Sequence, residues 1–185
     1  GPLQDIGVYC LNAARHAFGA EPTEAIAMKG HGNGDPRFTE VEETLSATLR
    51  FPGDRLAHFT VSFGGEDIDM YRVTGSEGEI VVSPAYRFES AIAYRLTRHG
   101  KVTERVFPQL DHFSGQSAYF SDCILRGLRP ESDGEEGLAD VRALLAIEAA
   151  AKTGQLQKIA SPPRPAYPAP DMARAFPPVQ RRLML

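Results

Sequence analysis

Apolar and polar positions alternate or cycle through the chain in a way that marks out its elements before any chemistry is considered. At the start, Ile6, Cys10, Ala13 and Ala17 recur at helical spacing, with Leu11, Ala14 and Phe18 beside them, which predicts a helix from Pro2 to Phe18. Pro2 suits a first turn and Asp5 the positive end of the helix, while Gly19 and Pro22 close it. Residues 24–31 read as a strand ended by the Gly32–Pro36 loop. From 42 to 51 the period is two, with Leu45, Ala47, Leu49 and Phe51 on one side and Thr44, Ser46, Thr48 and Arg50 on the other. After the Pro52-Gly-Asp turn the alternation resumes with Ala57, Phe59, Val61 and Phe63 facing one way and His58, Thr60 and Ser62 the other. That pair is a half-buried antiparallel hairpin. Two further pairs are predicted, 70–74 with 79–83 and 91–98 with 101–107, so the middle of the chain reads as a meander of about six short strands.

Two more helices are predicted beyond the strands. Residues 113–126 stop at Gly127 and Pro130, and a second helix opens at Ser132-Asp133 with two glutamates in its first turn and closes at Gly154. The sum is an α+β domain, an open, mostly antiparallel β-sheet with helices packed on one face, over residues 1–160. Residues 161–185 form a Pro-rich C-terminal arm. Seven of the 14 prolines fall between 161 and 178, where Tyr167 and Phe176 are candidate anchors. A tail without fixed structure and an arm laid over a neighbouring subunit fit that composition equally.

Composition changes this picture little. The hydrophobic fraction is 42% and the charged fraction 24%, values of an ordinary globular chain. A formal charge of −4 without a basic run argues against nucleic acid as partner, and no apolar run has the length to cross a bilayer. Cys10 and Cys123 read as free thiols, and the five histidines lack metal-ligand spacing, so no metal is expected. No G-x-G-x-x-G joins a strand to a helix, so no cofactor-binding residue is expected in this chain. The start at Gly1, without initiator Met or signal-like region, suggests a piece of something longer. Any targeting signal would lie upstream, and a cytoplasmic location is the expectation, with the periplasm as alternative.

The candidate chemistry lies on the first helix. Asp5, Tyr9, Asn12 and His16 are spaced i, i+4, i+7 and i+11, bringing a carboxylate, a phenol, an amide and an imidazole to one side. A solvated helix face has the same pattern.

Residues 5–9 (Asp-Ile-Gly-Val-Tyr), Leu11-Asn12-x-x-Arg15 and 18–22 (Phe-Gly-Ala-Glu-Pro) resemble the opening of the C-terminal domain of the glucose–fructose oxidoreductase/inositol dehydrogenase/MocA family. The likeness runs on through 37–43, 73–80, 113–116 and 134–141, covers most of the chain to about Gly154, and points to the glucose–fructose oxidoreductase branch. The resemblance implies a fold like the second domain of glyceraldehyde-3-phosphate dehydrogenase. It implies an N-terminal Rossmann domain, absent from this chain, that binds NADP or NAD and carries a catalytic lysine. The implied function is the substrate-binding and oligomerisation half of an enzyme that moves hydride between nicotinamide and a sugar or polyol, this fragment alone being inactive. A non-catalytic dimerisation or ligand-binding module of the same fold is the alternative.

On that reading Asp5 and Tyr9 are the catalytic candidates, and Asn12 and His58 the substrate-binding ones, with the subunit interface as the alternative place for His58. Oxidising a carbinol needs a base within hydrogen-bond reach of its hydroxyl. A tyrosine is a poor base at its ordinary pKa of about 10, and an adjacent lysine cation lowers it. The sequence leaves the proton acceptor open among that lysine, Asp5 and Tyr9. The resemblance further implies a homodimer or homotetramer through the sheet face. The sugar, the choice of NAD or NADP and the oligomer size are not legible.

Overall fold

A computed structural model describes residues 1–160 and 167–178, and all statements about structure concern these. They fall into two compact units, residues 1–66 with 131–168, and residues 67–130 with the described part of 169–185.

In the first unit a π-helical segment, Leu3–Gly7, leads into α1 (Val8–Phe18). Gly19 closes α1 in the left-handed conformation, where a residue without Cβ is unstrained. Strand β1 (Glu24–Gly30) then pairs antiparallel with β2 (Thr44–Phe51), which pairs antiparallel with β3 (Arg55–Ser62). The two-residue strand β8 (Gln157–Lys158) lies on the other side of β1, giving the order β3-β2-β1-β8. Between the two, the helix α3 (Gly134–Thr153) starts at Asp133, whose carboxylate accepts from the backbone N–H groups of Glu135 and Glu136.

The inner face of this sheet is the one the alternation names. Leu45, Ala47, Leu49, Phe51, Phe59 and Val61 are buried with Ala25, and over them close Leu3 and Leu11 from the opening helical run and Ala143 and Ile147 from α3. Helices therefore cover one face of an antiparallel sheet, as the sequence predicts. The other face carries the polar partners. Thr44 and Ser62 hydroxyls lie 2.7 Å apart, as do those of Ser46 and Thr60.

The second unit holds β4 (Tyr71–Gly75), β5 (Gly78–Val82), β6 (Ile92–Arg98) and β7 (Lys101–Phe107), paired antiparallel in chain order, and α2 (His112–Arg126). Asp111 caps α2 by accepting from the Ser114 N–H at 3.0 Å. Residues from the proline-rich arm lie along the start of this helix. The Phe176 carbonyl accepts from the Asp111 N–H at 2.9 Å, and Arg174 Nε donates to Asp122 at 2.9 Å. Gly115 permits that approach, because a Cβ there would sit 2.5 Å from the Arg174 carbonyl oxygen. In the first unit the Tyr167 hydroxyl stands 3.5 Å from Glu21 Oε1. Residues 161–166 and 179–185 of the arm lie outside the described residues.

The strands occur where alternation puts them, but they do not run on as one meander. Between β3 and β4 the sequence Gly64-Gly-Glu-Asp67 offers neither alternation nor apolar side chains, so the ladder breaks there. β1 pairs on the far side of β2 instead, with Ala25 opposite Leu49 and Ala27 opposite Ala47. The other difference lies in the opening helix. Regular α winding was expected from Pro2, whereas Leu3–Gly7 closes i→i+5 turns.

Candidate functional site

The π turn sits where the candidate chemistry begins. Leu3 and Gly7 are both buried, and a Cβ on Gly7 would meet Leu3 Cδ1 at 3.1 Å and the Phe59 ring at 3.5 Å. The bare backbone at Gly7 thus lets the segment lie down on β3. A π turn holds more residues than the 3.6 of an α turn, so residues four apart come closer to eclipsed. Asp5 is in the π segment and Tyr9 is in the first turn of α1, four residues on. Both side chains are exposed, Tyr9 by 56%. The phenol and carboxylate leave the buried stripe of Leu3, Gly7 and Leu11 and point away from the core. His16 is exposed further along the helix.

Asn12 behaves differently. Its Nδ2 donates to Asp140 Oδ2 at 3.1 Å and its Oδ1 accepts from Arg15 Nη1 at 3.1 Å. Arg15 is the largest fully buried side chain among the described residues, at 1% exposure. Its planar fork is engaged on every nitrogen. Nε and Nη2 donate to the two oxygens of Glu21 at 2.8 and 3.0 Å, and Nη1 is shared among Asn12, Glu136 at 2.8 Å, and Asp140. One guanidinium thus faces three carboxylates drawn from the turn after α1 and from the first two turns of α3. Burial, reinforced by repulsion from Asp140, holds the Glu136 carboxyl above the usual carboxylate range. Burial likewise raises Asp140.

The cluster explains the motifs behind the resemblance better than spacing does. Leu11-Asn12-x-x-Arg15, the Glu21 of residues 18–22 and the Glu136 and Asp140 of residues 134–141 are far apart in sequence and meet at one guanidinium. The signal that could have found them is the presence of an arginine on the apolar side of α1, since a buried arginine needs carboxylates.

His58 is not brought together with the other three. It lies on β3 opposite Thr48, on the face of the sheet turned away from α1. That outer face mixes hydroxyl pairs with exposed apolar side chains, Ile26, Met28 and Leu56, Met28 being 80% exposed. A shallow depression there is lined by Glu24, Ile26, Thr48, Arg50, Leu56 and Leu156.

The glycine-rich loop after β1 does not suit a dinucleotide phosphate. Residues 32–34 form a single 3-10 turn, and the cap at its end is Asp35, a carboxylate already bound by Arg37 at 2.6 Å. The Arg37 hydrogen bonds hold the Asp35 carboxyl below its usual range, so it stays anionic beside any incoming anion. Among the described residues no group of three or more His, Cys, Asp or Glu side chains could hold a metal ion, and no helix is long and apolar enough to cross a membrane.

Helices on one face of an antiparallel sheet make this an α+β domain of the kind found at the C-terminal end of the GFO/IDH/MocA proteins. The family model described as the GFO/IDH/MocA C-terminal domain matches residues 1–81, and the chain belongs to that family. D-xylose 1-dehydrogenase [NADP(+)] of Haloarcula marismortui is 31% identical over 153 residues, 82% of this chain and 42% of that protein. The crystal structure of aldose-aldose oxidoreductase from Caulobacter crescentus, complexed with glycerol, is 36% identical, with a TM-score of 0.79 over 86% of this chain and 48% of that one. The 3-ketoreductase KijD10 from Actinomadura kijaniata, crystallised with TDP-benzene and NADP, shares the fold at 23% identity and a TM-score of 0.69, covering 81% of this chain and 47% of that one. The chain spans somewhat less than half the length of these relatives.

Proposed function

We propose that this chain is the substrate-binding and oligomerising half of an NAD(P)-dependent oxidoreductase acting on a sugar or polyol. A preceding Rossmann domain holds the nicotinamide cofactor and supplies a lysine. The observation that carries the reading is the exposed Asp5–Tyr9 pair, which spans the junction of the π turn and α1 above a buried stripe. The names of the xylose dehydrogenase and the aldose–aldose oxidoreductase support the substrate class. When bound, the cofactor accepts or returns hydride at the substrate carbon. The work of this chain is then at the substrate oxygen. The Tyr9 oxygen hydrogen-bonds to the reacting oxygen, taking the hydroxyl proton when the carbinol is oxidised and giving it back when the carbonyl is reduced, and Asp5, one turn earlier, orients neighbouring hydroxyls. In the complete enzyme, Asp5→Asn is expected to lower kcat/KM for the sugar by about one to two orders of magnitude while the unfolding midpoint stays put. An unchanged kcat/KM would remove Asp5 from the site, and a complete protein that turns over no sugar would favour a non-catalytic module of the same fold.

The outer face of the β3-β2-β1-β8 sheet is the oligomer interface in this proposal, and His58 acts there rather than on substrate. Exposed Met28, Ile26 and Leu56 share that face with two hydroxyl pairs, giving apolar surface beside hydrogen-bonding groups. Met28→Glu places a charge on that surface without touching the core. Light scattering should then report a smaller species than wild type; an unaltered mass would put the interface elsewhere.

A further inference from the structure

We propose that Arg15 and Asp140 are positioning residues for Tyr9, acting through the azimuth and height of α1. This rests on the reading of Tyr9 as the group at the substrate oxygen. Tyr9, Asn12 and Arg15 follow one another at intervals of three along the same short helix. With a rise of about 1.5 Å per residue, Arg15 lies about 9 Å along the axis from Tyr9.

The i→i+4 ladder of α1 does not run on through Leu3–Gly7, which is wound as a π turn. Of α1's own residues, Leu11 and Arg15 are the buried ones. Leu11 gives burial without direction, because dispersion contacts are non-directional. Arg15 gives direction. Its planar guanidinium is gripped on one edge by both oxygens of Glu21, and on the other by Glu136 and Asp140 from α3. Asp140 holds α1 twice, accepting from Arg15 on one oxygen and from Asn12 on the other. A rotation of α1 would break several of these bonds at once.

An apolar contact of the same volume would be less costly to bury than a cation with three carboxylates. What the charged arrangement adds is a single allowed orientation. Displacing a reacting group by about 1 Å can cost about a hundredfold in rate. Asn12 has its amide turned to Arg15 and Asp140, which makes it part of this clamp.

The test is a double-mutant cycle in the complete enzyme, with Arg15→Lys and Tyr9→Phe alone and together, measured as kcat and KM for the sugar. Lysine keeps the charge and loses the fork. Arg15→Lys is expected to lower kcat about tenfold with KM within about twofold, and to lower it less than about twofold when Tyr9 is already phenylalanine. An equal tenfold loss in both backgrounds would overturn the positioning role and leave Tyr9 catalytic. A wild-type rate for Tyr9→Phe alone would overturn both. If Arg15→Lys does not fold, Asp140→Asn takes its place in the cycle. It keeps an acceptor for Arg15 and weakens the tie to Asn12, with the same outcomes deciding.

Discussion

Tyr9→Phe in the complete enzyme is expected to lower kcat by about 10²–10⁴, the range that a positioned proton-transfer group contributes. The substitution removes one oxygen from a side chain that is 56% exposed, so the core of Leu3, Leu11 and Phe59 is untouched and the unfolding midpoint should match wild type. KM for the sugar should change much less than kcat, since in the proposed role the phenolic hydroxyl matters most as the substrate oxygen gains or loses its proton. The loss should exceed that of Asp5→Asn, which disturbs orientation only. A Tyr9→Phe enzyme with wild-type kcat across the pH range would remove Tyr9 from the mechanism.

Arg15→Leu is expected to destabilise the first unit by about 3–5 kcal/mol, the cost of removing one partner from a buried ion pair. The loss should also depend on pH, and the sign follows from the carboxylates. Glu136 and Asp140 are held above the usual range in the folded chain, by burial first of all. From about pH 4 upward the native state therefore binds more protons than the unfolded one, and this cluster's contribution to stability falls as pH rises through that window. Below the window both states are protonated and the contribution is neutral; above the native values the penalty is complete. Without the guanidinium, the window extends further upward. Urea midpoints should then show a larger gap between wild type and Arg15→Leu at pH 8 than at pH 5. Glu136→Gln should do the reverse, raising the midpoint at pH 8 while changing little near pH 4, because it removes one of three negative charges around a single cation and leaves an acceptor for Arg15. Equal effects at both pH values would mean that the cluster does not titrate on folding.

The strands were legible because a sheet with one covered face imposes period two. Leu45, Ala47, Leu49 and Phe51 alternate with Thr44, Ser46, Thr48 and Arg50, and no other arrangement buries the first set while leaving the second on the outer face. The helix boundaries were legible for an equally local reason. Gly19, Gly127 and Gly154 each stand in the left-handed conformation after a helix, and Asp133 accepts at a helix start. Asp5 and Tyr9 could be picked out as neighbours because their spacing and their helix lie within a few residues.

Other features were closed to the sequence because they depend on residues distant along the chain. Nothing local distinguishes a π turn at Leu3–Gly7 from an α turn; it lies where a Cβ on Gly7 would meet the Phe59 ring at 3.5 Å. Nothing local makes Asn12 differ from a solvated amide, since its partner Asp140 is 128 residues away. His58 was placed by its strand, but whether it faces a cleft or a subunit interface was open, and only the sheet's two faces separate it from Asp5 and Tyr9. By itself the amino-acid order determined the elements, their buried sides and the pair at the start of the first helix, since backbone sterics and solvent act over a few residues. The winding beneath that pair, the arginine clamp behind it and the division of the strands into two sheets were decided by tertiary packing, where a buried charge and a bare glycine backbone find partners no neighbouring residue supplies.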